Sequence, residues 1–158
     1  MHDDEKYMRI AIEEAQKASD CGEIPIGAVL VLDGEIIARA HNMRETWQDA
    51  TAHAETIAIR AACEKLGRWR LSGACLYVTI EPCPMCAGAM VMSRISRLVY
   101  GSPDSKAGAA ESLFNIVNNP ALNHAIDVRT GVLSEECTKL MQDFFKKRRN
   151  EKRQIKQI

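Results

Sequence analysis

The chain has no net charge, no apolar run of membrane-spanning length, no internal repeat and no low-complexity segment. A transmembrane helix needs about 20 consecutive apolar residues. Nothing here approaches that, so no membrane partner is expected. The opening residues Met1-His2-Asp3-Asp4-Glu5 are acidic, unlike a secretory or transit peptide; the expected location is cytoplasmic. A disulfide framework is missing too. Six cysteines lie scattered along 158 residues, and Cys21, Cys63, Cys75 and Cys137 read as free, buried thiols of a reducing compartment. What remains is an ordinary globular composition, 46% hydrophobic and 27% charged, in a length that suits one domain spanning residues 1–158.

Zero net charge hides an asymmetry. Lys139 to Ile158 carries eight Lys/Arg against two Asp/Glu, whereas Met1 to Glu23 carries seven acidic residues against three basic. A basic end suits a polyanionic partner. Its last part, 150–158, is expected to be a disordered basic tail.

Apolar periodicity predicts the elements. Tyr7, Met8, Ala11, Ile12, Ala15 and Ala18 recur at helical spacing up to Gly22. Two strand-like runs, Ile26 to Leu32 and Glu35 to His41, flank the hairpin signal Asp33-Gly34. A polar loop (Asn42 to Asp49) leads to a helix that ends at Gly67, a C-cap residue. Leu76 to Ile80 reads as a strand running into Pro82, followed by a helix to Arg94 and a strand at Arg97 to Tyr100. Further on come a short helix (Leu113 to Val117), a weak strand (Asp127 to Leu133) and a last helix from Ser134 to Arg149. Strands alternating with helices predict an α/β fold, a single mixed sheet with helices on both faces.

Two short motifs carry the chemistry. Cys83 and Cys86 are three apart at the start of a predicted helix, where such positions share a face. Thiolate and imidazole are zinc ligands, and His53 completes three. A structural zinc site takes four protein ligands, whereas a catalytic one leaves a place for water. Glu55 stands two residues after His53; both can face an ion only if they sit in the first turn of their helix, with Thr51 or Asp49 as N-cap. Pro82 and Pro84 suit the first turn of the second helix. Two helix N-termini are therefore expected to converge on the ion. The competing reading is a structural zinc clip completed by Cys63, Cys75 or Cys137.

The H-x-E…P-C-x-x-C pattern is the signature of zinc nucleobase deaminases, and the chain resembles the cytidine-deaminase-like superfamily. Within it, the chain looks like the bacterial tRNA adenosine deaminases. Glu23 to Ala28, Ala38 to Asn42, Thr51 to Glu55, Trp69-Arg70-Leu71 and Glu81 to Ala89 carry that likeness. The resemblance implies a three-layer α/β/α fold on one mixed, about five-stranded sheet. It also implies one Zn2+ per chain on His53, Cys83 and Cys86, with Glu55 as proton shuttle for hydrolytic deamination of adenosine to inosine at the wobble position of an anticodon. Asn42 matches a residue that hydrogen-bonds the purine, and Ile26 and Val29 match pocket wall. Asp104 and Lys106 match an RNA-facing loop, and His124 resembles a position near the substrate. On the last helix, Phe144 and Phe145 followed by Arg149 offer aromatic and cationic surface to an unstacked loop, although a helix cannot bury both adjacent rings in one core. The family pattern implies a homodimer and a tRNA anticodon stem-loop as partner. Glu111 departs from the small residue expected there. Two rivals remain, a free-base or nucleoside deaminase (guanine or cytosine) on the same scaffold, and a non-catalytic zinc-stabilised RNA-binding module.

Overall fold

Asp33 and Gly34 both adopt positive φ, 50° and 75°, the turn that matches the twist of a two-residue hairpin. In the computed structural model, which describes residues 3–157, they join β1 (Gly27–Leu32) to β2 (Glu35–His41). Before the hairpin comes α1 (Asp4–Asp20). After it come a short α2 (Arg44–Trp47), α3 (Ala54–Leu66), β3 (Cys75–Ile80), α4 (Pro84–Met92), β4 (Arg97–Ser102), β5 (Asp127–Thr130) and α5 (Ser134–Lys156).

The five strands form one mixed sheet in the order β2-β1-β3-β4-β5. β1 is antiparallel to β2 and β3, whereas β4 is parallel to both its neighbours. Period-2 alternation then divides the core in two. Ala28, Leu30, Leu76, Val78, Leu98 and Tyr100 pack with α3 and α4, while Val29, Val31, Tyr77 and Val99 pack with α1 and the start of α5. Each fully buried leucine contributes roughly 1.5–3 kcal/mol. Gly27 lets α1 lie against β1, since a Cβ there would fall 1.9 Å from the Ala11 carbonyl oxygen. The three-layer α/β/α architecture is as expected.

Three local expectations need correcting. No helix forms at 113–117: the amides of Leu113 and Phe114 both donate to the Gly108 carbonyl, so the chain turns back there. The weak strand stops at Thr130, before Gly131 with φ 86°. The basic tail is not disordered across 150–156; α5 continues to Lys156. That stretch contains no Gly or Pro and consists mostly of good helix formers. Ile158 lies outside the described residues. Among those described, no helix is long and apolar enough to cross a membrane.

Candidate active site

The C-terminal end of β3 delivers Glu81-Pro82-Cys83 to α4. Cys83 is the N-cap, in extended conformation (φ −75°, ψ 172°), and Pro84 follows at a position where no amide donor is needed. Cys86, in the first turn, is fully buried. The N-cap of α3 is His53 itself (φ −84°, ψ 156°) and not Thr51 or Asp49. Asp49 instead ties off the preceding turn, accepting the Thr51 amide at 2.9 Å and its hydroxyl at 2.7 Å. The Thr56 hydroxyl accepts the His53 amide at 3.2 Å, and the His53 side chain accepts from the Thr56 backbone in return, so this capping box fixes the imidazole across the helix end.

It points at the cysteines. His53 Nδ1 lies 3.6 Å from Cys83 Sγ and 3.5 Å from Cys86 Sγ. A tetrahedral zinc with its usual Zn–S and Zn–N bond lengths holds nitrogen and sulfur about 3.6 Å apart. The donor set fits zinc in type and in spacing. Among the described residues no other side chain joins the cluster; Cys63, Cys75 and Cys137 stand elsewhere as free thiols, so the four-ligand clip is not built.

The charges are uneven. The hydrogen bond from Cys86 and the neighbouring His53 pull the Cys83 thiol well below its ordinary range, while the same contact with Cys83, together with burial, pushes Cys86 up. His53 is raised by its Cys83 partner. Glu55, 3% exposed, lies against the Cys86 thiol, and burial pushes its carboxyl up to about 7. A proton-accepting group thus stands, shielded from solvent, beside three side chains that could together hold a metal ion.

A family model described as MafB19-like deaminase matches residues 2–149. The chain belongs to that deaminase family. A relative named tRNA-specific adenosine deaminase, from Bacillus subtilis (strain 168), is 54% identical over 97% of this chain and 95% of its own. A solved structure from biochemical and structural studies of A-to-I editing by tRNA:A34 deaminases at the wobble position of transfer RNA superposes with a TM-score of 0.83. It is 50% identical and covers 85% of this chain and 98% of that one. The structure of a guanine deaminase from Bacillus subtilis, 35% identical over 95% of each chain, gives a TM-score of 0.63.

In this deaminase, the remaining predicted residues are placed unevenly. Ile26 precedes β1 at the edge where the Gly27 amide donates to Thr79 Oγ1, just before the β3 end. Val29 is fully buried on the opposite face of the sheet, against α1, because alternation sends it away from Ala28 and from α3. It is core and not pocket wall. Asn42 is buried and engaged in the turn, its Oδ1 accepting the Arg44 amide and its Nδ2 donating to the Ile24 carbonyl. Asp104 Oδ1 accepts the amides of Lys106 and Ala107 at 2.9 and 3.1 Å, and the Lys106 side chain is exposed. Phe144 is buried, with Arg148 stacked 5.3 Å from its ring centre, so it offers no open face. Phe145 is half-buried and Arg149 exposed. His124 is taken up by the Ile95 carbonyl at 2.7 Å, just ahead of β4 and away from the cluster.

Sequence reasoning missed two buried glutamates that hold the loops. Glu23 accepts the amides of Glu45 and Thr46, fixing α2 beside Asn42. Glu81 accepts the amide of Asp104 on one oxygen and those of Ala110, Glu111 and Ser112 on the other, with the Ser112 hydroxyl as a fifth donor. Burial raises its carboxyl, but these donors outweigh it and hold the group down at about 2. A Cβ on Gly108 would lie 2.4 Å from the Glu81 carboxylate, so the glycine admits the carboxylate into its own loop. That glycine, together with a carboxylate directly behind a strongly apolar strand, was the signal available.

Proposed function

We propose that this deaminase converts adenosine to inosine at the wobble position of a tRNA anticodon. The observation that carries the proposal is the solvent-shielded Glu55 beside the His53–Cys83–Cys86 triangle. The substrate class is supported by the near-full-length likeness to a tRNA-specific adenosine deaminase and by the tRNA:A34 deaminase structure.

His53, Cys83 and Cys86 would hold one Zn2+. Zinc, when bound, supplies the Lewis acidity that makes water a nucleophile near neutral pH. Glu55 takes the proton released as water oxygen adds to C6 of the adenine ring, and passes one to N1. It then takes the remaining proton of that oxygen as the C6=O bond forms and delivers it to the departing nitrogen, which leaves as ammonia. Such acid–base help is worth roughly 10²–10⁴ in rate. Extruding the base from its stack costs a few kcal/mol, and stacking on an aromatic ring returns about 1–3 kcal/mol; we assign that role to Phe145, with Arg149 one turn on. Lys106 and the Asp104 turn supply loop contacts, and Ile26 and Asn42 border the purine. The enzyme acts in the cytosol as a homodimer, for which exposed Trp47, Met92 and Phe114 provide apolar surface.

Incubation with an anticodon stem-loop carrying wobble adenosine should yield inosine, while free guanine, cytosine and adenosine in parallel stay unchanged. Ammonia release from guanine with none from the stem-loop would move the enzyme to the free-base branch of the fold.

A further inference from the structure

The first turn of α3 asks two things of one imidazole. As N-cap, His53 accepts the Thr56 backbone amide with its side chain. The same ring turns Nδ1 toward the sulfurs of Cys83 and Cys86, at 3.6 and 3.5 Å. A neutral imidazole has one acceptor nitrogen, because the other carries its proton. That lone pair can serve the amide or a metal ion, but not both at once.

The amide has no helical alternative. Thr56 is the third residue of α3, and the first amides of a helix find no carbonyl one turn back inside it. The Ala52 carbonyl, four positions earlier, accepts the Met43 amide at 3.0 Å. When the ring is given up, the helix start must be held by other groups, and the Thr56 side chain is in place for that. Its hydroxyl accepts the His53 amide at 3.2 Å and donates to the carbonyls of Thr51 and, at 3.0 Å, of His53. These bonds grip the backbone on both sides of the His53 Cα without using its ring. Asp49 extends the grip, since it holds Thr51 by amide and hydroxyl.

We infer that Thr56 is a positioning residue for the metal site: its hydroxyl keeps His53 at the helix start when the imidazole is released to an ion. This rests on reading His53, Cys83 and Cys86 as one zinc site. Without the hydroxyl, the ring carries more of that turn as its cap, and zinc must compete with the Thr56 amide for it. Groups that orient a metal ligand from behind typically contribute about 10–100-fold in metal affinity.

The test uses Thr56→Val, which keeps the shape of the side chain and removes the hydroxyl, and Thr56→Ser, which keeps the hydroxyl. The valine chain should fold, because each partner retains a second bond. The His53 amide donates to the Thr51 carbonyl at 2.8 Å, and the His53 carbonyl accepts the Ile57 amide at 3.0 Å. Zinc affinity is read by chelator competition on the full chains, with the urea midpoint of each metal-free chain alongside. Valine should weaken zinc binding about tenfold or more, and serine should restore the parent's affinity. In the parent, zinc should speed hydrogen exchange at the Thr56 amide, released from the ring, while exchange at Ile57 slows. That measurement needs no variant, so it decides the matter should the valine chain not fold. A lower urea midpoint with unchanged zinc affinity would make Thr56 a structural residue only and overturn the inference. So would a serine chain that binds zinc no better than the valine chain, or a Thr56 amide that zinc protects together with Ile57. A parent chain that takes up no zinc would strike the zinc reading itself, which is a separate failure.

Discussion

Near the N-terminal ends of β3 and β4, the carboxylate of Asp4 is clamped by charged partners; at their C-terminal ends, that of Glu81 is held by neutral ones. Asp4 takes two hydrogen bonds from Arg97, at 2.7 and 2.9 Å, one from the Tyr77 hydroxyl at 2.8 Å, and one from Arg129. Glu81 takes four backbone amides and a serine hydroxyl. Both carboxyls are held far below the ordinary range, Asp4 chiefly by Arg97 and Glu81 by donors that overcome its burial. The two ends of the sheet have separate tasks, and their anchors match them. Arginines fasten a helix to a sheet. An arginine beside Glu81, two residues before Cys83, would oppose any cation held by His53, Cys83 and Cys86; amides organise the loop without adding charge. Glu55 has neither set, and burial, reinforced by the charge of Cys83, drives its carboxyl the opposite way, to about 7.

The largest effect is expected at Glu55, the carboxyl with neither kind of anchor. Glu55→Gln should keep about one zinc per chain by metal analysis, while inosine formation falls by roughly 10²–10⁴. Turnover within tenfold of the parent would mean that the proton moves by another route. Next in size is Asp4→Asn, which leaves two guanidinium groups without their counter-charge. Breaking a buried pair by removing one partner costs about 3 kcal/mol or more, readable as a shift in the urea midpoint. The pH sign follows from the depressed carboxyl. In the unfolded chain Asp4 titrates near 3.9; the stabilisation is complete above that value and is lost as pH falls toward the folded one. The gap between parent and variant should therefore be widest near neutral pH and narrow below about pH 4. A gap that widens in acid would assign the stability to some other interaction.

What could be read from the residues alone divides along the same line. The grouping of His53, Cys83 and Cys86 was legible because their positions at two predicted helix starts bring candidate metal donors to one place. Glu81 was not legible as an anchor, since its partners are backbone amides 23 to 31 positions away and every residue type except proline has an amide donor. Val29 shows a subtler limit. Alternation says that it faces away from Ala28, but not which face carries the site; that needed the packing of α1. The end of α5 was expected to be disordered for its basic charge at the chain end, although nothing between Asn150 and Lys156 interrupts the helix.

The smallest expected effect is the sharpest probe of the neutral anchor. Glu81→Gln keeps the shape of the side chain and exchanges one oxygen for an NH2 group. The surviving oxygen should turn toward the three amides of Ala110, Glu111 and Ser112, where more bonds are at stake. The NH2 group then faces the Asp104 amide, donor against donor, while the Ser112 hydroxyl can rotate to accept. One amide is left unsatisfied and the charge assistance is gone, a loss of about 1–2 kcal/mol. Asp104 also shapes the turn through Lys106 and Ala107, so the loosening should spread along that turn while zinc content stays at the parent level. Amide hydrogen exchange would read this directly: faster exchange at Asp104, Lys106 and Ala107, with smaller changes at 110–112. If Asp104 kept its protection, the loop would be held by its own turns, and Glu81 would be a passenger in a cavity made by Gly108.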